Sequence, residues 1–414
     1  MKNLITALVL CAGLFSCAKN DSPSDDKTHI LAAASMESEQ LSLAGEQLLS
    51  PHSFMLADRV FDMALAKNPN NVRARFYKEL IRPQMLAQGY VTRTRNLMNS
   101  FGDHDRQFNT TNELPNSSLK DFLLSGTSDI NNETQMQDFL VQYRTSLFQL
   151  YNFLKQTEKT SLVLNLNPIL FYSAIKQDYD NSCVVKDNSA DKIEVVCDHQ
   201  DIAQRKLNQA DMIALRQIVG GAFLYTFIYT NYSAEGAVEF FNATHDRKDL
   251  SPLQTANILR NIPRLGNLRS DNAFHELTNL GADLSSSWKF AIENHSTLCP
   301  SLKYGIGEKR HSYLFNSGLC VDVDSESQKN LALLNDALAG PVTIKAKMAS
   351  NEKKDITIDP FLIAKRPISD LKRMIPTQFN ECKQATAFED PTFGGILLTP
   401  EPMIFNSNCR YSHE

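Results

Sequence analysis

Small residues set at helical spacing constrain this chain more than any other feature. Between Glu37 and Asn71, Leu41, Ala44, Gly45 and Leu48 recur at steps of one, three and four, so they share one face of a helix. Pro51 interrupts that pattern. Ala57, Phe61 and Ala64 follow at steps of four and three on a second helix, which Pro69 stops. A face that carries Ala44 and Gly45 has little side chain to hold a neighbour away, and Ala57 and Ala64 leave space on either side of Phe61. The pattern predicts two antiparallel helices in close approach, with the Phe61 ring filling the groove between them.

This spacing, down to the Asn68-Pro69-Asn70-Asn71 exit, resembles one tetratricopeptide repeat, a unit of about 34 residues. Val72 to Ser100 starts as a second repeat would and then departs. Lys78-Glu79 stand where the close-packed small residue belongs, and no later Ala/Phe/Ala triplet follows. A solenoid needs about three repeats to bury a continuous core. Either degenerate repeats continue the stack or other helices cap it.

Phe101 to Asn132 is polar, with Pro115-Asn116-Ser117-Ser118 in its middle, and reads mostly as loop. Beyond it Phe139, Leu140, Tyr143, Leu147, Leu150, Tyr151 and Leu154 predict an amphipathic helix from near Glu133 to Lys155. Ser251-Pro252 supplies an N-cap and a first-turn proline for a helix ending near Pro263. Phe274, Leu277, Leu280, Leu284, Trp288 and Ile292 mark another helical face. Asp211 to Tyr232 is the most apolar stretch, but Arg216 and Gln217 interrupt it, and the run beyond them is only about 20 Å long as a helix. It predicts a buried central helix rather than a membrane span, with Gly220-Gly221 letting another backbone approach.

The start of the chain has a different logic. Met1-Lys2-Asn3, the apolar stretch from Leu4 to Phe15, and Ser16-Cys17 read as a basic start, an apolar core of roughly a dozen residues and a small residue at the cut, as in a secretory signal peptide. Leu14-Phe15-Ser16-Cys17 resembles the lipobox of bacterial lipoproteins. That resemblance implies cleavage before Cys17, diacylglycerol on its sulfur and a mature protein held to the membrane by lipid. Ala18 to Lys27 is small, polar and Pro/Ser/Asp-rich and reads as a flexible tether. Ala18 stands where an aspartate would retain a diderm lipoprotein at the inner membrane, so the resemblance implies the outer membrane, on either face.

Of the eight cysteines, Cys11 lies in the signal and Cys17 takes the lipid, leaving Cys183, Cys197, Cys299, Cys320, Cys382 and Cys409. An even number in an exported chain reads as a disulfide framework. Fifteen pairings exist for six cysteines, and sequential neighbours are the simplest: Cys183–Cys197, which would clamp the open end of a hairpin, with Cys299–Cys320 and Cys382–Cys409 closing two C-terminal loops. Cys183 and Cys197 flank two β-branched runs around the polar loop Lys186 to Lys192, which predicts a hairpin. No two of the six stand at the close spacing of zinc ligands. Pro341 to Lys347 and Asp355 to Asp359 alternate apolar and polar and predict a second hairpin, with a short helix around Ser369 to Met374 after it.

The expected fold is mainly α: a tetratricopeptide-like helical body with a small disulfide-stapled β part, its hairpins near 183–197 and 341–359. The expected boundaries are 1–16 for the signal peptide, 17–36 for the lipidated tether, 37–298 for the helical body with its repeat at 37–71, and 299–414 for the α+β C-terminal region. The cysteine near the start, the helical hairpin, the β hairpin leading into an apolar helix, and Asp390-Pro391-Thr392-Phe393-Gly394-Gly395-Ile396 together resemble a group of helical outer-membrane lipoproteins that carries no established reaction. Asp390 to Ile396 itself reads as a structural turn.

Composition narrows function by exclusion. With 42% hydrophobic and 21% charged residues and a formal net charge of −5, the chain has no basic field for a phosphate backbone, so nucleic acid is not an expected partner. No Gly-x-Ser-x-Gly elbow occurs, His275-Glu276 is followed by Asn279 rather than a second histidine, and Gly305-Ile306-Gly307 meets Arg310 where a third glycine would stand. Asp103-His104-Asp105, Asp198-His199-Gln200-Asp201 and Asp322-Val323-Asp324-Ser325-Glu326 read as solvated loops or edges rather than ion sites. No catalytic residue, metal or cofactor is expected. The expected function is a non-enzymatic, lipid-anchored protein-binding scaffold or adaptor for another envelope protein. The alternatives are a solute-binding or enzymatic protein with a pocket between helical body and β region, drawing on groups such as His199, His245 or Asp322, and a structural envelope protein without a discrete site.

Overall fold

Asn71 shows how the sequence builds the helical start of this molecule. Its side chain accepts from the Ala74 backbone N–H at 3.0 Å, capping the helix Val72–Ala87. Its amide nitrogen donates backwards, to Ser38 Oγ at 2.8 Å and Ser42 Oγ at 2.9 Å, on the helix Ser38–Gln47. Ser38 Oγ in turn donates to the Ala64 carbonyl at 2.8 Å, near the end of the helix Phe54–Lys67. These helices are α1 (Ser38–Gln47), α2 (Phe54–Lys67) and α3 (Val72–Ala87). Four polar groups thus fix three helices at one end. The structure, a computed structural model, describes residues 37–49, 54–101, 122–160, 162–164, 183–187, 193–197, 205–207, 209–245, 247, 249–293, 329, 332–333, 335–337, 339–347, 353–359, 361–380 and 385–398.

After two short helices, α4 (Tyr90–Arg93) and α5 (Arg95–Ser100), comes the long α6 (Glu133–Thr157). Its apolar stripe is the predicted one, capped by Asn132, whose side chain accepts from the Gln135 N–H at 2.9 Å. Four short strands follow, β1 (Leu162–Leu164), β2 (Cys183–Asp187), β3 (Ile193–Cys197) and β4 (Arg205–Leu207). The body then continues as α7 (Gln209–Asn231), α8 (Ala237–Thr244), α9 (Pro252–Asn261) and α10 (Phe274–Glu293). Ser251 caps α9 as expected, accepting from the Gln254 N–H, with Pro252 in the first turn.

The large helices pack mostly on their neighbours in chain order: α1 on α2, α2 on α3, α3 on α6, α6 on α7, α7 on α10. Aromatic rings mark the seams. Phe61 stacks on Tyr77 at 5.5 Å, Tyr77 meets Phe76, and Phe76 meets Phe153 across α2, α3 and α6. Phe148, Phe223, Phe227 and Phe274 continue the contact through α6, α7 and α10. The fold among the described residues is mainly helical, with four two-stranded antiparallel sheets: β1–β4, β2–β3, β5 (Val342–Lys347) with β6 (Lys353–Ile358), and β7 (Pro376–Phe379) with β8 (Ala385–Phe388). Both predicted hairpins are present as strand pairs; β1–β4 and β7–β8 were not legible in the sequence.

The C-terminal strands are tied to the body through the loop after α9. Leu268 N–H donates to the Ser369 carbonyl and Leu371 N–H to the Gly266 carbonyl. Lys372 Nζ donates to the carbonyls of Ile262 and Pro263 at 2.9 Å each, satisfying groups just past the end of α9 with a cation. The turn at Asp390 is internally closed: its carboxylate accepts from the N–H groups of Thr392 and Gly394. Gly394, at φ +72°, passes so close to Ile368 that a Cβ there would stand 2.3 Å from its side chain.

No helix among the described residues is long and apolar enough to cross a membrane. The apolar α7 is buried on one side only: Met212, Ile213, Leu215, Val219, Phe223 and Phe227 face the core, while Ile218 and Tyr229 are 37% and 43% exposed. Its two glycines differ accordingly. A Cβ on Gly220 would stand 2.8 Å from Leu284 and 3.3 Å from Tyr151, whereas one on Gly221 would meet nothing within 4 Å. What approaches Gly220 is side chain, not the backbone expected from sequence. Gly220→Val is expected to destabilise by about 1–3 kcal/mol through overpacking. Gly221→Ala should be neutral or stabilising by up to about 1 kcal/mol. Denaturant unfolding of the two variants checks the contrast, and equal effects would place both glycines in the same environment.

Candidate functional site

The residues singled out by sequence spacing lie together at the α1–α2 seam. Leu41, Ala57, Phe61 and Ala64 are fully buried, Ala44 and Leu48 are partly buried against the same core, and Pro69 is exposed in the turn between α2 and α3. Gly45 sits directly under the Phe61 ring: an added Cβ would stand 2.4 Å from Cε1. Arg73 on α3 closes the other side, with Nη1 donating to Glu46 at 3.0 and 3.1 Å and Nε 2.8 Å from Glu39. Tyr77, buried beside Glu46, has its hydroxyl pKa pushed well up by burial first and the carboxylate second. These groups are structural.

Lys78 explains the departure from the repeat pattern. Its Nζ stands 3.0 Å from Asp58 and 2.6 Å from Asp62, both on α2, so an ion pair takes the place of a close-packed small residue. Burial works against its charge, but the hydrogen bonds to Asp62 and Asp58 outweigh it and raise its pKa. Lys78 is therefore held protonated and is no nucleophile at neutral pH.

Beside this pair an open groove of about 530 Å³ runs between α2, α3 and α6. Met85, Leu86 and Val141 give it apolar lining, and Gln142, Thr145 and Gln149 line it from α6. Arg82 spans the rim, donating to Gln149 Oε1 at 2.6 Å. Ser146, only 3% exposed, lines the groove and its Oγ has no hydrogen-bond partner among the described residues. Amides and hydroxyls beside apolar side chains suit recognition of a peptide through both its backbone groups and its side chains. Sequence spacing identified α2 and the start of α3 but not the wall from α6.

A second polar cluster joins α6, α7 and α10. Tyr151 OH donates to Asp283, Lys155 Nζ stands 2.7 Å from Asp283, and Arg216 Nη1 stands 2.7 Å from Glu158. Burial opposes ionisation of Asp283, but the hydrogen bonds from Lys155 and Tyr151 and the Arg216 charge prevail and hold its pKa below the ordinary carboxylate value. The cluster acts as a packing lock between the three helices. His245, ring-packed on Phe241 at 4.4 Å, and His275, 77% exposed, lie apart from it. Among the described residues no three His, Cys, Asp or Glu converge as a metal site. Cys17, Cys299, Cys320, Cys382, Cys409, His104, His199, Gly305 and Asp322 lie outside the described residues. Comparison with protein-family models, curated proteins and solved structures finds no match to this chain.

Gly45→Ala is expected to cost about 1–3 kcal/mol, and combining it with Phe61→Leu should cost less than the sum of the two single changes, since both act on one contact. A double-mutant cycle by denaturant unfolding measures this. Asp283→Asn is expected to lose about 1.5–3 kcal/mol at neutral pH. Because the folded Asp283 pKa is depressed, that stabilisation is full above the unfolded value near 4 and is lost as pH falls through the lower folded value. The difference between variant and wild type should therefore shrink below about pH 4, as unfolding across a pH series would show.

Proposed function

We propose that this chain is a lipid-anchored envelope protein acting as a protein-binding scaffold or adaptor at the outer membrane, with α1 and α2 forming a tetratricopeptide-like unit. Supporting the anchor are the apolar stretch from Leu4 to Phe15 and the lipobox-like run ending at Cys17. Supporting the repeat reading is the seat of Phe61 over Gly45 between Ala57 and Ala64. The export reading also places the six downstream cysteines in an oxidising compartment, where they form the disulfides that staple the β part.

The observation that carries the binding function is the open groove between α2, α3 and α6, with amide groups on its wall and a buried hydroxyl without a partner. Its charged groups are already neutralised: Lys78 by two aspartates and Arg82 by Glu79 at 3.3 Å. Such a surface recognises shape and backbone hydrogen bonds more than charge, which fits an adaptor for a protein segment. Lipidation at Cys17 would hold the groove at the membrane, and a mature chain with two or more acyl chains stays there firmly.

The test is mild crosslinking and affinity capture in the native cells, with Cys17→Ala and the doubly substituted Gln142→Arg/Thr145→Arg for comparison. Both substituted α6 residues are exposed, so the fold should survive. The wild type should capture one stoichiometric partner, Cys17→Ala should leave the membrane fraction, and the groove variant should lose the partner at least about tenfold, a change of 1.4 kcal/mol or more. Membrane retention of Cys17→Ala would remove the lipid anchor. Undiminished capture by the groove variant would remove the groove.

A further inference from the structure

We infer that Cys183 and Cys197 are joined by a disulfide that locks the β2–β3 hairpin, an assignment that rests on the export reading above for its oxidising surroundings. Six cysteines allow 15 pairings, and the sequence favours this one only as the pairing of sequential neighbours. Strand register discriminates among them. β2 and β3 pair antiparallel over five rungs, and the rung at the open end sets Cys183 opposite Cys197. Residues directly opposite in an antiparallel ladder have Cα atoms about 4.5 or 5.5 Å apart. A disulfide spans Cα separations of about 4.4–6.8 Å. Both kinds of rung therefore fall within that Cα range.

The hairpin also has a physical need for closure. β2 and β3 pair with no other strand among the described residues, and an isolated two-stranded hairpin is marginal in water. A covalent link at the open rung opposes the loop at the other end, so the ladder is closed at both ends and its register cannot slip. Assigning this pair leaves three pairings for Cys299, Cys320, Cys382 and Cys409.

The chemistry is thiol–disulfide exchange with an oxidised disulfide carrier, either a dithiol oxidoreductase or glutathione disulfide. The thiolate of one cysteine attacks a carrier sulfur and breaks the carrier's S–S bond, giving a mixed disulfide. The thiolate of the other displaces the carrier and forms the Cys183–Cys197 bond. Two electrons and two protons pass from the chain to the carrier, which leaves as thiols.

Non-reducing peptide mapping of the full chain from its native cells, alkylated before digestion, decides the matter. Trypsin cuts after Lys186 and Lys192, so the two cysteines fall on separate peptides, 177–186 and 193–205. The expected result is those two peptides recovered linked, with the linked species lost completely on reduction. Cys183 joined to any other cysteine would overturn the assignment while leaving the export reading intact. Six free thiols in the native protein would instead defeat the export reading. The purified chain would then be oxidised with glutathione disulfide: formation of Cys183–Cys197 ahead of other pairs would support the register argument, and its failure to form would overturn it.

Discussion

The helix from Glu133 to Thr157 is the part on which the rest leans, because both of its sides are buried against other helices. One side meets α3 and, through it, the α1–α2 hairpin; the other meets α7. Buried polar groups set the second contact. Gln137 Nε2 donates to the carbonyls of Tyr229 and Tyr232 at 2.9 and 2.6 Å, and Arg144 donates to Thr230 Oγ1 at 2.8 Å. These carbonyls are at the C-terminal end of α7, where a helix leaves acceptors without partners. Apolar packing alone would allow α7 to slide along α6, whereas satisfying those acceptors requires one axial position. Arg216 and Gln217 do the same near the other end of α7, through Glu158 and the Leu284 carbonyl.

The molecule is thereby divided between seams of different chemistry. The α1–α2 seam is made by size, a ring over a glycine, with the Ser38 hydroxyl bonded to the Ala64 carbonyl at its end. The α2–α3 seam combines ring stacking with the Lys78 ion pairs. The α6–α7 and α7–α10 seams add buried hydrogen bonds to aromatic contact. A long apolar helix has many near-equivalent ways to pack, and directional bonds separate them.

Local patterns were legible in the sequence and distant partnerships were not. The α1–α2 spacing, the cap of α9, the apolar face of α6 and the two hairpins each depend on residues close together in the chain. The groove depends on α3 meeting α6, which are separated by a long polar stretch, so no periodicity announces it. Sequence spacing singles out neither Gln137 nor Arg144, and it marks Arg216 only as an interruption of an apolar stretch. A signal was present: Gln137, Leu140, Arg144 and Leu147 follow steps of three and four, and Arg216, Val219, Gly220 and Phe223 do likewise. A polar side chain in phase with an apolar face is a buried side chain needing a partner. Packing patterns carry no information on the lipobox-like start or on how the cysteines pair.

The pairing of β1 with β4 has a consequence for how this chain can vary. Leu162 stands opposite Leu207, so the backbone leaves the helical body after α6 and returns to it before α7 at neighbouring points, about 5 Å apart. The β1–β4 pair thus holds together the two ends of the chain that runs between α6 and α7. A short reverse turn could join the same two points and leave α6 and α7 in place. A change in the length of chain between Leu164 and Arg205 need not move the point at which α7 begins, because β1 and β4 hold the two ends of that stretch together.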